Sequence, residues 1–414
     1  MTLERRRHLG QVCVCLAVFG LVLAAGGTSD AGAAPVPVPA RLVTITIPAP
    51  AGEVPSQWLN YAGPPRADVL LPAGYDPDRR YPLLVLLSGL GGNYEWFEEQ
   101  GLLAPFDDLG AIVVMPEGGP GGWYADWWNG GERGGPAWES YELDQVLPTI
   151  AARYPILPQR RYHAIAGFSM GGLGAVYLAG RLPGFFGSAA SLSGFVDPQF
   201  LAPVIQPAMG VVSGASEAGD HNLNPVYGPP YGFYADGHNP ARLTMNLKQT
   251  RVFETTGTGI PDRGGLGLLL DGATTELADG TWEEGSIIFP MSQLYHQALL
   301  AAGVDVTYEV HTGGHDLPDF LNEIRSMLAW GLFNPGPDDA SDWTNDTVAT
   351  HGQLWDVGYA FAQAPGQVVQ FHQQGMHLSI SAAGSSVTIT TSAGCAMHTD
   401  TPATIELPTA GCGS

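Results

Sequence analysis

Short apolar runs alternate with amphipathic stretches over most of the chain. The runs "LVTITI" (42–47), "ADVLLP" (67–72), "YPLLVLL" (81–87), "AIVVMP" (111–116), "YHAIAG" (162–167), "SAASLSG" (188–194), "TRVFETT" (250–256) and "VDVTYEV" (304–310) have the length of strands. Several show little polar alternation, as expected of strands buried on both faces. Between them, "YELDQVLPTIAARYP" (141–155), "SMGGLGAVYLAGRL" (169–182), "MSQLYHQALLAAG" (291–303) and "LPDFLNEIRSMLAWGLF" (317–333) repeat with helical period. In the last of these, Leu317, Phe320, Leu321, Ile324, Met327 and Leu328 fall on one side at core spacing. Strands alternating with helices predict an α/β fold: a mainly parallel sheet with helices on both faces, over residues 43–333.

The pattern changes after "NPGPDDASD". Residues 335–414 contain no Lys or Arg, and "MHLSISAAGSSVTITTSAG" alternates as hairpin strands do. A linker over 334–345 and a small C-terminal all-β module over 346–414 are expected. At the other end, Arg5, Arg6 and Arg7 precede the apolar "VCVCLAVFGLVLAAGG" and small residues suited to cleavage near Ala33 or Ala34. This predicts a signal peptide over 1–33, followed by a Pro-rich leader over 34–42. The expected product is secreted or cell-envelope associated, with no stable membrane span once the signal is removed.

Of four cysteines, Cys13 and Cys15 lie in the signal segment, leaving Cys395 and Cys412 as a disulfide pair in an oxidising compartment. Loop entropy gives such a bond about 3 kcal/mol, useful to a small module. The net charge of −23 disfavours nucleic acid as a partner. No phosphate-cradling loop or zinc-type spacing is visible, so neither a cofactor nor a metal is expected. The aspartates of "GPDDASDWTND" read as an exposed acidic linker.

Candidate chemistry centres on "HAIAGFSMGGLGAVYLAG" (163–180). Gly167-x-Ser169-x-Gly171 is a weak pattern alone, but here it joins an apolar strand to a small-residue helix. That is the setting of a nucleophile elbow, where a sharp turn lifts the serine oxygen above the sheet. A serine needs a base, and the base needs a carboxylate to hold its tautomer. His315 lies in the loop between the last strand and the last helix; His311 ends the strand and reads as structural. His163 is left to packing. For the acid, spacing favours Asp262 in "TGTGIPDRGG" and leaves Glu284 in "DGTWEEGSIIF" open. Backbone N–H groups of Leu90, in "LLSGLGGN", and of Met170 are placed to form an oxyanion hole.

Taken in order, "LLSGLGGNYEWF", "MPEGGPGGWYADWW", "GFSMGGLGAVYLAG" with "LSGFVDP", "VYGPP" leading to "RVFETTGTGIP", and "TGGHDLPDF" resemble the antigen 85-type mycolyltransferases and their bacterial esterase relatives, within the esterase D-like α/β hydrolases. The resemblance spans about residues 43–331 and implies the α/β-hydrolase fold. It also moves the acid to Glu284, giving Ser169, Glu284 and His315 as the catalytic set, and supports Leu90 and Met170 in the oxyanion hole.

The departures carry information too. An Asp, an Arg and a Trp of the mycolyltransferases are replaced here by Ser88, Gly91 and Leu317, which argues for water rather than trehalose as the acyl acceptor. Ser88, Trp123, Trp127 and Trp128 are expected at the substrate site, alongside Tyr124. The expected function is a secreted serine esterase acting on ester or lipid substrates, a cell-envelope glycolipid among them. An acyltransferase of mycolyltransferase or diacylglycerol type is the alternative. A non-catalytic secreted binding protein is a second alternative, against which the intact Ser169, Glu284 and His315 argue.

Overall fold

Strand β3 (Leu83–Leu87) is apolar at all five positions and buried along its whole length. Leu83, Val85 and Leu87 enter one core while Leu84 and Leu86 enter another on the opposite side. The two-residue repeat of a strand thus feeds two cores at once, so the sheet must be covered on both faces. The computed structural model describes residues 39–55, 59, 61–213, 224–260, 280–333, 340–408 and 412. The expected signal segment, the start of the Pro-rich leader and Asp262 lie outside the described residues.

A strand overlaps each of the eight apolar runs: β1 (Arg41–Thr46), β2 (Arg66–Leu71), β3, β4 (Ile112–Pro116), β5 (His163–Phe168), β6 (Ser188–Leu192), β7 (Arg251–Gly257) and β8 (Val306–His311). They form one sheet in the order β1-β2-β4-β3-β5-β6-β7-β8. Strand β2 is antiparallel to both neighbours, and the pairings from β4 through β8 are parallel. The fold is an α/β-hydrolase sheet.

Helices close both faces. All twelve residues of the Met170–Arg181 helix are buried, with Leu173 and Val176 packed on the Val85 side. The Leu317–Trp330 helix lays Phe320, Ile324 and Met327 on the Leu84 side. The Asp316 carboxylate caps its start by accepting the Asp319 N–H at 3.1 Å, and Pro318 sits in its first turn.

The C-terminal part pairs β9 (Asp342–Thr347), β10 (His351–Leu354), β11 (Val357–Phe361), β12 (Val369–Gln374), β13 (His377–Ile380), β14 (Ser386–Thr391), β15 (Ala396–Asp400) and β16 (Ala403–Glu406) into two antiparallel four-stranded sheets. Its first strand starts at Asp342, ahead of the expected residue 346. Trp343, Tyr359, Phe361 and Phe371 form its core with Val387 and Ile389, and Cys395 is bonded to Cys412.

This sandwich docks on the α/β part through specific polar contacts. Arg181, at the end of its helix, donates to Tyr359 Oη (3.2 Å) and to the His351 carbonyl (3.3 Å). The Asn345 side chain donates to the Gly180 carbonyl (2.8 Å), and Asn246 and Asp346 exchange two hydrogen bonds. The Arg160 guanidinium stacks over Trp355 at 4.7 Å.

Candidate active site

Ser169 occupies the turn between β5 and the Met170–Arg181 helix with φ 51° and ψ −115°, a region costly for any residue with a Cβ. Three bonds hold it there: its N–H donates to the Leu192 carbonyl (3.1 Å), and its carbonyl accepts from Leu173 (3.1 Å) and Phe195 (2.9 Å). Glycine is required around it because backbones touch. A Cβ on Gly167 would lie 2.3 Å from the Gly171 carbonyl oxygen, and one on Gly171 would lie 2.3 Å from that of Leu87. The chain after β3 runs against the same turn, since a Cβ on Gly89 would meet Ser169 Cβ at 3.5 Å. Leu90 follows it, and Met170 opens the helix, where its N–H has no partner within the helix. Both N–H groups thus belong to segments that frame Ser169.

Glu284 is fully buried, in a turn of π-helix just ahead of the Phe289–Ala302 helix. Its Oε2 accepts from His315 Nδ1 at 2.8 Å. Its Oε1 accepts from Thr256 Oγ1 (2.6 Å), Gly257 N (2.8 Å) and Ser193 Oγ (3.0 Å). Buried carboxylates persist when their lone pairs are filled in this way. Burial disfavours the charged form of His315, but the hydrogen bond and charge of Glu284 outweigh it and raise the imidazole above its ordinary pKa. The Phe320 ring joins the two halves: its centroid is 4.7 Å from that of Phe168, the residue before Ser169, and 5.0 Å from that of His315. Ser169, Ser193, Gly257 and His315 follow or end β5, β6, β7 and β8, so adjacent strands deliver them to the carboxyl edge of the sheet.

The expected substrate-contacting side chains are a different matter. Ser88, Trp123 and Trp127 are only 1%, 4% and 1% exposed. Trp123 Nε1 donates to Ser213 Oγ (2.8 Å) and Trp127 Nε1 to the Gly122 carbonyl (3.2 Å), while the Ser88 carbonyl accepts from Tyr124 Oη (2.9 Å). These groups pack inward, where large aromatic surface is removed from water, rather than offering a face to substrate. Trp128 is half-buried against Phe233 and Tyr234. A cavity of about 570 Å³ lies elsewhere, between the α/β part and the β-sandwich, beside Arg181, Glu139, His351 and Tyr359. None of Ser169, Glu284 or His315 lines it.

Sequence reasoning missed Ser193, Thr256 and Glu323. Glu323 was open to detection: with Phe320, Ile324 and Met327 it falls on the apolar stripe of its helix, where a carboxylate needs a reason to be. His311, read as structural, bonds through Nε2 to Glu323 Oε1 at 2.9 Å.

Three similarities bear on identity. Over 205 residues the chain is 33% identical to Esterase Rv1288 of Mycobacterium tuberculosis, an alignment covering 48% of this chain and 43% of that one. The chain therefore spans less than half the length of that relative. Over 286 residues it is 29% identical to the diacylglycerol acyltransferase/mycolyltransferase Ag85A of the same organism, covering 64% of this chain and 75% of the other. Among solved structures, the fluorophosphonate-binding serine hydrolase FphF of Staphylococcus aureus shares the fold at a TM-score of 0.52 and 17% identity, over 72% of this chain and 100% of that one. The Esterase family model matches residues 61–330, which hold the whole sheet from β2 onward and every residue of the site described above, and the chain belongs to that family.

Proposed function

We propose that this protein is a serine esterase that cleaves carboxylic esters through an acyl-enzyme on Ser169. His315 takes the Ser169 proton during attack and returns it to the leaving alcohol; Glu284 fixes the His315 tautomer and stabilises the imidazolium. The N–H groups of Leu90 and Met170 receive the developing oxyanion. Water then repeats the sequence on the acyl-enzyme and releases the acid. The carrying observation is the buried Glu284 carboxylate, bonded through one oxygen to His315 Nδ1 and saturated by three donors on the other. Membership of the esterase family and likeness to a fluorophosphonate-binding hydrolase support the reading.

Ester or lipid substrates follow from the relatives' names, and the apolar N-terminal segment after Arg5–Arg7 supports export to the cell envelope or beyond. The test is covalent labelling by a fluorophosphonate together with ester turnover in Ser169→Ala. Labelling of the parent, and its loss with turnover in a folded variant, is the expected result. Near-normal turnover in that variant would refute the mechanism.

Similarity to Ag85A favours a second reading, in which the same acyl-enzyme passes its acyl group to a sugar or glycerolipid hydroxyl. Water is the preferred acceptor, since Ser88 and Gly91 stand where the resemblance calls for a charged pair. Supplying trehalose or diacylglycerol with an acyl donor decides it: acyl transfer exceeding free acid would establish the transferase.

A further inference from the structure

Behind the Glu284–His315 pair lies a second acid–histidine pair, Glu323–His311, and the two meet at one hydroxyl. Ser193 Oγ is 3.0 Å from Glu284 Oε1 and 2.7 Å from Glu323 Oε1. All three residues are essentially inaccessible to water. A serine hydroxyl carries a single hydrogen, so it donates to one carboxylate or the other, never to both. The surroundings are uneven. Glu284 Oε1 has Thr256 and Gly257 as further donors, whereas Glu323 Oε1 has His311 and Glu323 Oε2 has no hydrogen-bond partner among the described residues.

Proton counting gives two states. With Glu323 protonated, its hydroxyl can donate to Ser193 and Ser193 to Glu284, so the donors run one way toward the triad acid. With Glu323 ionised, the Ser193 hydrogen is drawn across the shorter contact. Glu284 then loses a donor and faces a second buried negative charge.

We propose that Glu323, held by His311, is a positioning residue of the esterase site, and that the Ser193 hydroxyl passes its protonation state to Glu284 and so to His315. This rests on the reading of Ser169, Glu284 and His315 as the catalytic set. The groups facing the network are Asp319 on the same helix as Glu323, Glu283 and Glu284 on the turn opposite, and His311 and His315 at the end of β8. Burial and the Glu284 charge push Glu323 up to about 7, against the pull of His311 and Ser193. Burial works against the His311 charge, yet the Glu323 hydrogen bond and charge raise it to about 9. Both members of the pair therefore change charge in the range where an esterase with a histidine base works, and they titrate together.

The experiment is the pH profile of kcat/KM for the parent, Glu323→Gln, Ser193→Ala and the double variant, with melting curves and circular dichroism on each. A glutamine is neutral at every pH and keeps an N–H donor for Ser193. The ionised Glu323 favours protonated, inactive His315, so its removal should move the acid limb to lower pH. The gain should be greatest near about pH 7, where the parent's Glu323 is ionised while much of His315 is still protonated, and should reach about threefold; below about pH 6, where Glu323 is protonated and as neutral as the glutamine, the two profiles should converge, and plateau rates should agree within about twofold. In the Ser193→Ala background the same change should shift the limb less.

A folded Glu323→Gln with an unmoved limb and only a lower plateau would overturn the proposal, since packing alone would explain it. The low-field Nδ1 proton of His315 in the unmodified protein gives a second measurement that needs no substitution. Followed from about pH 5 to 9, it should show a second inflection from its neighbour, and a single inflection would equally overturn the proposal. Failure of the underlying mechanism is separate, because it would appear as turnover surviving in Ser169→Ala.

Discussion

Glu284 and His315 are joined twice. Their side chains meet at 2.8 Å, and the backbone N–H groups of both donate to one carbonyl, that of Gly280, at 3.0 and 3.3 Å. Gly280 has φ 72°, and a Cβ there would lie 2.5 Å from the His315 carbonyl oxygen. The pair is thus pre-positioned by backbone as well as by charge. Glu284→Gln keeps size and hydrogen bonding but removes the negative charge, and if Glu284 acts as proposed turnover should fall by about 10⁴-fold, the loss expected of a neutralised triad carboxylate. Asp262→Asn should cost far less. Steady-state kinetics on both variants checks this; a dead Asp262→Asn beside an active Glu284→Gln would return the role to Asp262.

The elbow has no spare room. Gly171→Ala would set a Cβ 2.3 Å from the Leu87 carbonyl oxygen and 2.7 Å from that of Ser88, both on the chain leaving β3. Backbone cannot yield as a flexible side chain does, so a loss of about 1–3 kcal/mol or more is expected. Thermal melting reads the loss. An unchanged midpoint would mean that the strand and helix sit farther apart than described.

The β-sandwich covers a buried ion pair. Arg181 Nε lies 2.5 Å from Glu139 Oε1, both side chains are almost wholly buried, and Tyr359 Oη and the His351 carbonyl of the sandwich accept further bonds from the arginine. Replacing Arg181 by Met takes the bonded cation from the buried Glu139, leaving it Tyr177 Oη at 2.6 Å and His238 Nε2 at 3.4 Å, and should destabilise the protein by about 3 kcal/mol. Tyr359→Phe removes two hydrogen bonds, those to Arg181 and to Thr347 Oγ1, and should cost about 1–3 kcal/mol. Arg181 is eleven positions beyond Met170 on the same helix, about 17 Å from the elbow, so the folded fraction should keep its ester turnover. Ending the chain after residue 333 should lower the melting temperature for the same reason while leaving the proposed catalytic groups in place. Loss of turnover in folded protein would instead make the sandwich part of the site.

Stability should fall as pH rises. Burial lifts Glu254 to about 8, Glu117 to about 7, and Asp68 and Asp126 to about 6. Folded-state values above the unfolded ones mean that the native chain binds more protons in this range. The stabilisation is therefore complete below about pH 4, where these groups are protonated in both states, and is lost progressively as pH rises through about 8. The net charge of −23 at pH 7 acts in the same direction through self-repulsion. Glu139 behaves oppositely: burial alone would raise it, but Arg181 holds it well below the usual range, so its contribution fades only in strong acid. Melting temperatures should be higher at about pH 5 than at about pH 9. The reverse order would show that these carboxylates are hydrated in the native state.

The sequence by itself determined the six inner strands of the main sheet, β2 to β7, because strands buried on both faces need apolar runs, and it showed the more exposed edge strands β1 and β8 as runs rich in β-branched residues. It also marked Ser169, since backbone crowding at the elbow demands Gly167 and Gly171 and leaves them as a visible pattern. The choice of Glu284 came from resemblance, while spacing alone pointed to Asp262, which lies outside the described residues. Only the tertiary structure decided which groups surround the Glu284 carboxylate. Thr256, Ser193 and His315 come from three separate segments, and no local rule connects residues that meet only where strand ends converge. The same holds for Trp123 and Trp127, whose indoles the sequence could not assign to surface or interior. Large aromatic rings serve both uses, and burial is settled by what packs over them.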